Sequence, residues 1–286
     1  MLAIPCGLLT ALGWGCADFI ARFTGRALGH TSALLGMLFC SALILSVMVP
    51  ALGLDLAWRP EGLGLVLVTG VGVMVATMLL YAGLVRGPIA VVAPIVGSYP
   101  AFNLLLAAAI GISPSAPQWL ASVVVLAGVI AVARGAPPLE GGLAPELRTT
   151  VLIALASSLA FALTVAAGQA AARIWGELET LFLARWIGVA ACLVFFTARR
   201  TRPTLPRPWW ALLTLQGVLD GGAYAALFAA SHAGPGAVIA VVIASGFSAV
   251  TVLRARAVLK EPMSLAQWGG IGMIVAGVGA LSALRA

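Results

Sequence analysis

Gly87-Pro88-Ile89-Ala90-Val91-Val92 is a short stretch that returns 147 residues later as Gly234-Pro235-Gly236-Ala237-Val238-Ile239. Two other pairs recur in the same order at similar distances: Tyr81-Ala82-Gly83-Leu84 with Tyr224-Ala225-Ala226-Leu227, and Gln118-Trp119 with Gln267-Trp268. Chance could supply one such pair, but three in the same order predict an internal repeat. The offset of 147 also places Trp14 opposite Phe161.

The composition around these motifs is that of a membrane protein. Hydrophobic residues make up 62% of the chain and charged residues 9%, with a mean hydropathy of +1.11, whereas a soluble domain is about half apolar and about a quarter charged. A bilayer-spanning helix needs about 20 mostly apolar residues. The 286 residues therefore suffice for ten spans with short connections, which excludes a soluble catalytic or nucleotide-binding domain.

Apolar runs interrupted by Gly, Pro and Arg predict ten membrane spans, numbered 1 to 10 in chain order. They are Leu2–Phe23, Ser32–Leu52, Leu63–Val85, Pro88–Ile110, Pro117–Arg134, Thr149–Arg173, Leu178–Ala198, Pro208–Ala230, Pro235–Leu253 and Leu265–Leu284. Residues 1–135 are predicted to form the first repeat and residues 149–286 the second, joined by a polar linker at 136–148.

The number of spans in each repeat determines how the repeats are related. After five spans the chain has changed sides, so the second repeat must enter the membrane upside down relative to the first. Inverted repeats are the usual architecture of secondary transporters, in which one half moves against the other around a central site. The predicted fold is therefore an all-α integral membrane protein of two inverted five-helix repeats, and the predicted mechanism is alternating access.

The 16 basic and 9 acidic residues give a net charge of +7, and the basic residues indicate orientation rather than nucleic-acid binding. Twelve of them follow spans 1, 3, 5, 7 and 9, whereas three lie on the other side, at Arg59, Arg173 and Arg285. Since cytoplasmic loops carry the excess of Lys and Arg, the count predicts that both termini lie outside.

The sequence resembles a known family, the ten-helix transporters with two EamA-type repeats in the drug/metabolite transporter superfamily. The resemblance rests on Leu12-Gly13-Trp14-Gly15 in span 1, on the Tyr-x-x-Leu ends of spans 3 and 8, and on the Gly-Pro-x-Ala-Val starts of spans 4 and 9. It also rests on Val258-Leu259-Lys260-Glu261-Pro262-Met263-Ser264 before the Gly-rich last span. The counterpart of that turn in the first half, at 111–115, lacks the Glu.

The resemblance implies a secondary transporter that exports small metabolites across the inner (plasma) membrane. The family includes exporters of amino acids, aromatic ones among them, so bulky or aromatic amino acids are the favoured substrates; drugs, nucleosides and sugar-type metabolites are the alternatives. The expected partners are a small-molecule substrate and the lipid bilayer, with no nucleic acid and no cofactor. The oligomeric state is open, and a monomer is compatible with the sequence. Family members are often drawn with both termini inside, so the orientation is open as well.

Ionisable residues inside a span are costly and therefore mark functional positions. Asp220 lies near the centre of span 8, and Arg185 lies about a third of the way into span 7. Asp220 is predicted either to couple transport to protons or contact the substrate, or to form a structural pair with Arg185. The alternative role of Arg185 is to bind a substrate carboxylate through its planar fork.

Asp18, toward the end of span 1, is the second candidate for proton coupling. It lies four residues before Arg22, which is the spacing of an intrahelical ion pair, and this structural role is the favoured interpretation. In the alternative, span 1 faces the central cavity through Trp14 and Asp18, which are also four residues apart.

The remaining cavity candidates are a proline, polar residues and aromatic residues of the spans. Pro94 in span 4 frees a backbone carbonyl, which is tolerated where the carbonyl lines a cavity or is bonded by a neighbour. The other candidates are Ser98, Tyr99, Asn103 and Ser245 in spans 4 and 9, and the aromatic residues Trp14, Tyr81, Phe161, Trp186 and Tyr224. Ordinary packing, or a place in the aromatic belts at the membrane surfaces, is the alternative for the aromatic residues.

An enzyme is not expected from this sequence. A rhomboid-type protease needs Gly-x-Ser-x-Gly, and Gly246-Phe247-Ser248-Ala249-Val250 lacks the second Gly. The sequence also lacks the HExxH motif of zinc proteases. The four cysteines lie in apolar runs without metal-ligand spacing, so no metal site is expected.

Overall fold

The computed structural model describes residues 3–54, 56–57, 59–109, 115–134, 144–230, 236–260 and 263–284. Within these ranges the chain forms twelve α-helices and no β-strand, which confirms the predicted all-α class. The helices of the first half are α1 (Ala3–Leu28), α2 (His30–Ala51), α3 (Leu63–Arg86), α4 (Ile89–Gly97), α5 (Tyr99–Ala109) and α6 (Ala116–Arg134). Those of the second half are α7 (Ala144–Trp175), α8 (Glu177–Ala198), α9 (Trp210–Ala229), α10 (Gly236–Ser245), α11 (Phe247–Arg254) and α12 (Leu265–Ala283).

The twelve helices correspond to the ten predicted spans, because spans 4 and 9 are each broken in two. Helices α1, α2, α3, α7, α8 and α9 are long and apolar enough to cross a bilayer, and α6 and α12 are shorter apolar helices. Span 4 is divided between α4 and α5, and span 9 between α10 and α11. The predicted membrane fold of ten spans is thus confirmed. The motif Gly234-Pro235, the turn residues Glu261-Pro262 with their counterparts at 111–114, and most of the linker lie outside the described residues.

The break in span 4 lies at Ser98, between Pro94 and Pro100. A proline inside a helix has no N–H to donate, and its ring displaces the carbonyl four residues before it. Pro100 therefore leaves the carbonyl of Val96 without its helical partner. The hydroxyl of Ser158 on α7 donates to that carbonyl over 3.1 Å, so the broken span is supported by the opposite repeat.

The break in span 9 lies at Gly246, whose N–H donates to the carbonyl of Ile243 over 3.0 Å in a tight turn. The hydroxyl of Ser248 donates to the carbonyl of Ser245 over 3.1 Å. The two breaks are close together, because a Cβ on Gly97 at the end of α4 would lie 2.8 Å from the Cβ of Ser248. Broken helices at corresponding positions of two repeats are typical of secondary transporters.

Two hydrogen bonds at equivalent interfaces show how the repeats are related. Thr10 of α1 donates to the carbonyl of Ala223 on α9 over 3.0 Å, and Ser157 of α7 donates to the carbonyl of Ala76 on α3 over 2.8 Å. Each residue of one bond lies 147 residues from its counterpart in the other. The helix pairs are also related by exchange of the two repeats. Helix α1 packs on α9 as its counterpart α7 packs on α3. Helix α2 packs on its own counterpart α8, and α6 on its counterpart α12, so these two pairs lie across a pseudo-two-fold axis.

The helix ends repeat with the same offset. Gly29 and Gly176 precede α2 and α8 with φ angles of 82° and 97°, a region that Gly enters without steric cost. Gly53 and Arg200 follow α2 and α8 with φ angles of 64° and 52°. Both of these ends have the hydrogen-bond pattern of a Schellman turn, although only the first has a Gly at the left-handed position.

The repeated Gln-Trp motif is explained by the starts of α6 and α12. The N–H of Ser115 donates to Oε1 of Gln118 over 2.8 Å, and the N–H of Ser264 donates to Oε1 of Gln267 over 3.0 Å. This is the glutamine half of a capping box, in which a side chain satisfies a free backbone donor before the first turn.

The interface contacts also set the register of spans 3 and 8. The offset of 147 aligns Thr77, rather than Tyr81, with Tyr224. The Tyr-x-x-Leu motifs of the two repeats therefore lie about one helical turn apart in the fold, and their likeness in sequence does not mark equivalent positions.

Candidate functional site

The candidate site lies where α1 and α9 pack against each other in opposite directions. Gly13 allows the close approach, because a Cβ there would lie 2.7 Å from the carbonyl oxygen of Leu219. Three layers of side chains follow one another along this interface: an aromatic layer (Trp14, Phe161, Tyr224 and Phe247), a charged layer (Asp18, Arg185 and Asp220) and an amide layer (Thr24, Tyr81 and Gln216).

Trp14 is at the centre of the aromatic layer and is 4% exposed. The centroid of its ring lies 4.9 Å from that of Tyr224, 5.7 Å from Phe247 and 6.3 Å from Phe161. All three contacts are edge-to-face, as aromatic pairs prefer. Since Trp14 and Phe161 are equivalent positions of the two repeats, their contact lies at the pseudo-two-fold axis. The structure thus brings together three of the predicted aromatic residues, and Phe247 joins them.

Arg185 of α8 is fully buried and contacts Asp220 of α9. Its Nη2 lies 2.6 Å from Oδ2 of Asp220, so the two residues form the ion pair that is one of their predicted arrangements. Nε and Nη1 of Arg185 have no hydrogen-bond partner among the described residues. The guanidinium carbon also lies 4.9 Å from the centroid of the Tyr224 ring, which is a cation–π distance.

Asp18 brings a second carboxylate to the charged layer. It is buried and interacts electrostatically with Asp220. Arg22, its expected partner within α1, donates from Nη1 to the carbonyl oxygens of Leu84 and Gly87 at the end of α3, over 2.6 Å in both cases. The carboxylates of Asp18 and Asp220 and the guanidinium of Arg185 thus form the charged layer, and Arg22 connects α1 to α3.

Gln216 of α9 connects three helices in the amide layer. Its Nε2 donates to the hydroxyl of Tyr81 on α3 over 2.5 Å, and its Oε1 accepts the hydroxyl of Thr24 on α1 over 3.1 Å. Tyr81, a predicted cavity residue, is buried. It is close enough to Asp18 and Asp220 to interact electrostatically with both carboxylates. Gln216 and Thr24 are missing from the sequence prediction. Gln216 could have been found, because it lies four residues before Asp220 on the same face of an apolar span.

The predicted residues near the broken spans lie beside these layers. Tyr99 is fully buried and interacts electrostatically with Tyr224. Its hydroxyl lies 3.5 Å from the carbonyl oxygen of Val241 on α10. Among the other candidates Pro94, Ser98 and Ser245 are buried, and Asn103 is half-buried.

Trp186 is directed away from the three layers. Its Nε1 donates to the hydroxyl of Ser46 over 3.1 Å, and its ring centroid lies 6.2 Å from that of Phe39, with both partners on α2. Consecutive residues of an α-helix point about 100° apart. Because Arg185 faces α9, its neighbour Trp186 faces α2 instead.

Several buried donors of the site have no hydrogen-bond partner among the described residues. They are Nε1 of Trp14, the hydroxyl of Tyr224, and Nε and Nη1 of Arg185. Nearly all buried polar groups in folded proteins are hydrogen-bonded, and an unsatisfied one costs about 1–3 kcal/mol. Tyr224 contacts both Trp14 and Arg185 through its ring, so the three residues with free donors are neighbours.

In the part of the chain that the structure describes, no three or more His, Cys, Asp or Glu side chains come together in a group that could hold a metal ion.

The family relationship follows from comparison with known proteins. The sequence matches the EamA-like transporter family over residues 1–134 and 148–283. The chain belongs to the EamA-like transporter family. EamA-like transporters are multi-pass membrane proteins of the drug/metabolite transporter superfamily and carry small molecules; they are not enzymes.

One solved crystal structure of a protein shares the fold of this EamA-like transporter. It has a TM-score of 0.70 and 18% sequence identity, and the match covers 97% of this chain and 95% of that chain. At this identity the likeness shows the fold alone. No curated protein matches the sequence.

Proposed function

We propose that this EamA-like transporter exports amino acids, with a preference for bulky or aromatic side chains, across the inner (plasma) membrane by alternating access. The observation that carries the proposal is the position of Arg185. Its buried guanidinium has unbonded N–H groups and lies between Asp220 and the aromatic layer. A carboxylate, an ammonium group and an apolar side chain are the three parts of such an amino acid, and each finds a complementary neighbour here.

The substrate carboxylate binds Arg185. A guanidinium presents a planar fork that donates two parallel hydrogen bonds to a carboxylate, and Nε and Nη1 are available for them. Burying a charged group without hydrogen bonds is costly. A carboxylate that completes the hydrogen bonds of Arg185 therefore stabilises the loaded state, which supports an acidic group in the substrate.

The substrate ammonium binds between Asp18 and Asp220. When the substrate carboxylate engages Arg185, Asp220 loses part of its attraction to the guanidinium and needs another positive charge. The ammonium group supplies that charge in the loaded state, and a proton supplies it in the empty state. This exchange of cations at Asp220 supports coupling of export to protons.

The substrate side chain packs against the aromatic layer. Trp14, Phe161 and Phe247 present ring faces and edges from three different helices, and offset or edge-to-face contacts with a further ring stabilise by about 0.5–1.5 kcal/mol beyond burial. This composition supports aromatic over small side chains.

Alternating access is supported by the two-fold pairing of the repeats and by the broken spans 4 and 9. On the side of the amide layer, Arg22 connects α1 to the end of α3 through the carbonyls of Leu84 and Gly87. These bonds close that side of the site, and they must break when the site opens toward it.

The experiment that tests the proposal is substrate counterflow in liposomes that contain the purified protein. Radiolabelled phenylalanine is competed with 2-phenylethylamine, which lacks the carboxylate, and with 3-phenylpropionate, which lacks the ammonium group. We expect each analogue to compete at least about tenfold more weakly than phenylalanine, because each leaves one buried charge of the site unpaired; tenfold corresponds to about 1.4 kcal/mol.

Arg185→Gln separates a binding role from a structural one. The variant should lose affinity for phenylalanine by at least about tenfold, while its affinity for 2-phenylethylamine should not fall, because the amine has no carboxylate to bind Arg185. If the wild-type protein transports 2-phenylethylamine as well as phenylalanine, the substrate is a cationic amphiphile, and the amino-acid proposal is wrong. Transport of nucleosides or sugars in place of all three compounds would also contradict it.

A further inference from the structure

A cavity lies outside the three layers, between α2, α8 and α9. Its volume is about 220 Å³. Its walls include Ser41 and Met48 on α2, Leu181 on α8, and Gly221, Gly222 and Ala225 on α9. None of the residues that form the aromatic, charged and amide layers lines it.

The cavity exists because α9 carries small residues at these positions. The equivalent residues of α3, at the offset of 147, are Met74, Val75 and Met78. Those three side chains pack into or against the large hydrophobic core that both repeats share, and Val75 also lines a wider groove between α3 and α7. On α9, a Cβ on Gly222 would meet no heavy atom within 4 Å. The small residues of α9 thus leave this cavity unfilled.

The cavity opens on the surface that faces the bilayer. Met48 is 41% exposed and Val218 is 49% exposed at its rim. Helices α2 and α9 both have the length and composition of membrane spans, and Gly222 lies near the middle of α9. Ser41 is the one polar side chain among the described lining residues. The hydrocarbon chains of the bilayer therefore surround the opening, and the walls of the cavity are apolar like those chains.

The volume of the cavity decides which apolar group fits. Drug-sized ligands need about 300–1,000 Å³. An apolar cavity of about 150 Å³ is known to bind molecules as small as benzene. A segment of a single hydrocarbon chain is the group of the right size and chemistry.

We propose that this cavity binds an acyl chain of a membrane lipid, which enters from the bilayer between α2 and α9. The bound chain supplies the packing that Met74 and Met78 supply in the first repeat. The site is separate from the substrate site, and the proposal holds whichever solute the protein carries.

Photolabelling by lipid tests the proposal. The full-length protein is placed in nanodiscs of phosphatidylcholine with a diazirine in the middle of one acyl chain, irradiated, and digested for peptide mass spectrometry. We expect adducts to concentrate on residues 41–48 and 217–225. Gly222→Leu should reduce them about tenfold, because the leucine side chain occupies the space that the acyl chain would fill.

Gly272→Leu is the matched control. Gly272 is an exposed residue of α12 where a Cβ would also meet nothing within 4 Å, so the same change there should leave the adducts at 41–48 and 217–225 unaltered. Equal labelling of every bilayer-facing helix, or adducts that persist in Gly222→Leu, would overturn the proposal. If Gly222→Leu does not fold, the adduct map of the wild-type protein decides alone.

Discussion

In the proposed mechanism, Asp220 is the residue on which the coupling of transport to protons depends. In this structure its carboxylate is paired with Arg185 and interacts electrostatically with Asp18. A buried carboxylate that changes partners during a cycle must be neutralised at each step, because an unpaired charge inside a membrane is costly. The proposal therefore links binding of a proton and binding of the substrate at this one side chain.

We expect Asp220→Asn to abolish export driven by a proton gradient while substrate exchange between the two sides of a liposome continues. The amide cannot take up and release a proton, but it occupies nearly the same volume and can still accept a hydrogen bond. Uptake into liposomes with an imposed pH gradient, compared with counterflow without one, measures the two activities separately.

Stability is the necessary control for this variant. Removing one partner of a buried ion pair destabilises a protein by about 3–5 kcal/mol, so thermal unfolding has to be followed alongside transport. The double variant Arg185→Gln/Asp220→Asn removes both charges and should recover most of that loss while remaining inactive in driven export. Gradient-driven export by Asp220→Asn at the wild-type rate would show that the carboxylate carries no proton.

At the residue scale, the sequence identifies the ionisable groups of the site better than their neighbours. Asp220 and Arg185 can be predicted because a charge stands out in an apolar span, and their pairing is one of two interpretations that the sequence allows. Thr24 escapes prediction because a hydroxyl near the end of a span is not costly enough to stand out. Trp186 cannot be placed, because a span that is apolar on all sides does not reveal which face meets α9.

At the scale of single elements, the end of α8 stores backbone strain. Arg200 has a φ of 52° at the position where the equivalent turn after α2 has Gly53. The left-handed conformation costs a residue with a Cβ about 1–2 kcal/mol. Substitution by Gly recovers only part of this cost, because Gly loses more conformational entropy on folding.

We therefore expect Arg200→Gly to raise the free energy of unfolding by about 0.5–1 kcal/mol, measured by reversible denaturation in mixed micelles. Arg200→Ala removes the charge but keeps the strained φ, so it should give little or no gain. Gly53→Ala introduces the same strain into the first repeat and should destabilise the protein. Equal stability of the Arg200→Gly and Arg200→Ala variants would contradict this account.

The broken spans show what hydropathy cannot predict about an element. Hydropathy predicts spans 4 and 9 as single helices, since their apolar runs continue across the breaks at Ser98 and Gly246. Pro94 and Pro100 give a reason to expect freed carbonyls in span 4. In span 9 there is no proline at the break, and Gly246 alone does not distinguish a turn from a point of close helix packing.

At the scale of the whole molecule, orientation in the membrane is the prediction that remains to be tested. Twelve basic residues follow the odd-numbered spans and three lie on the other side. The positive-inside rule therefore predicts that the connection after span 7 is cytoplasmic and the connection after span 2 is external.

Cysteine labelling in intact cells measures this orientation directly. In a variant without native cysteines, Leu56→Cys should react with a membrane-impermeant maleimide, and Thr201→Cys should react only after the cells are opened. Both positions are exposed in the structure. The reverse pattern would place both termini inside, as the likeness to other family members implies.

The overall architecture can be predicted from the sequence almost entirely, because a repeat and a hydropathy pattern together leave few alternatives. Three recurring motifs and ten apolar runs are sufficient for a two-repeat membrane fold. The exact register is not predicted, since the Tyr-x-x-Leu motifs suggest an alignment of Tyr81 with Tyr224. The hydrogen bonds from Thr10 to Ala223 and from Ser157 to Ala76 instead align Tyr224 with Thr77, one helical turn before Tyr81.

The contact between Trp14 and Phe161 lies on the axis that exchanges the two repeats, but the charged layer beside it is not symmetric. Asp18, Arg185 and Asp220 correspond to Val165, Leu38 and Val73 in the other repeat. If the repeats exchange conformations during the cycle, the backbone returns to an equivalent shape while these three charges meet different surroundings. The inward-open and outward-open forms then differ in free energy, and each 1.4 kcal/mol of difference changes their ratio about tenfold. On the proposed mechanism, we therefore expect the molecule to rest mainly open to one side of the membrane when substrate and gradient are absent.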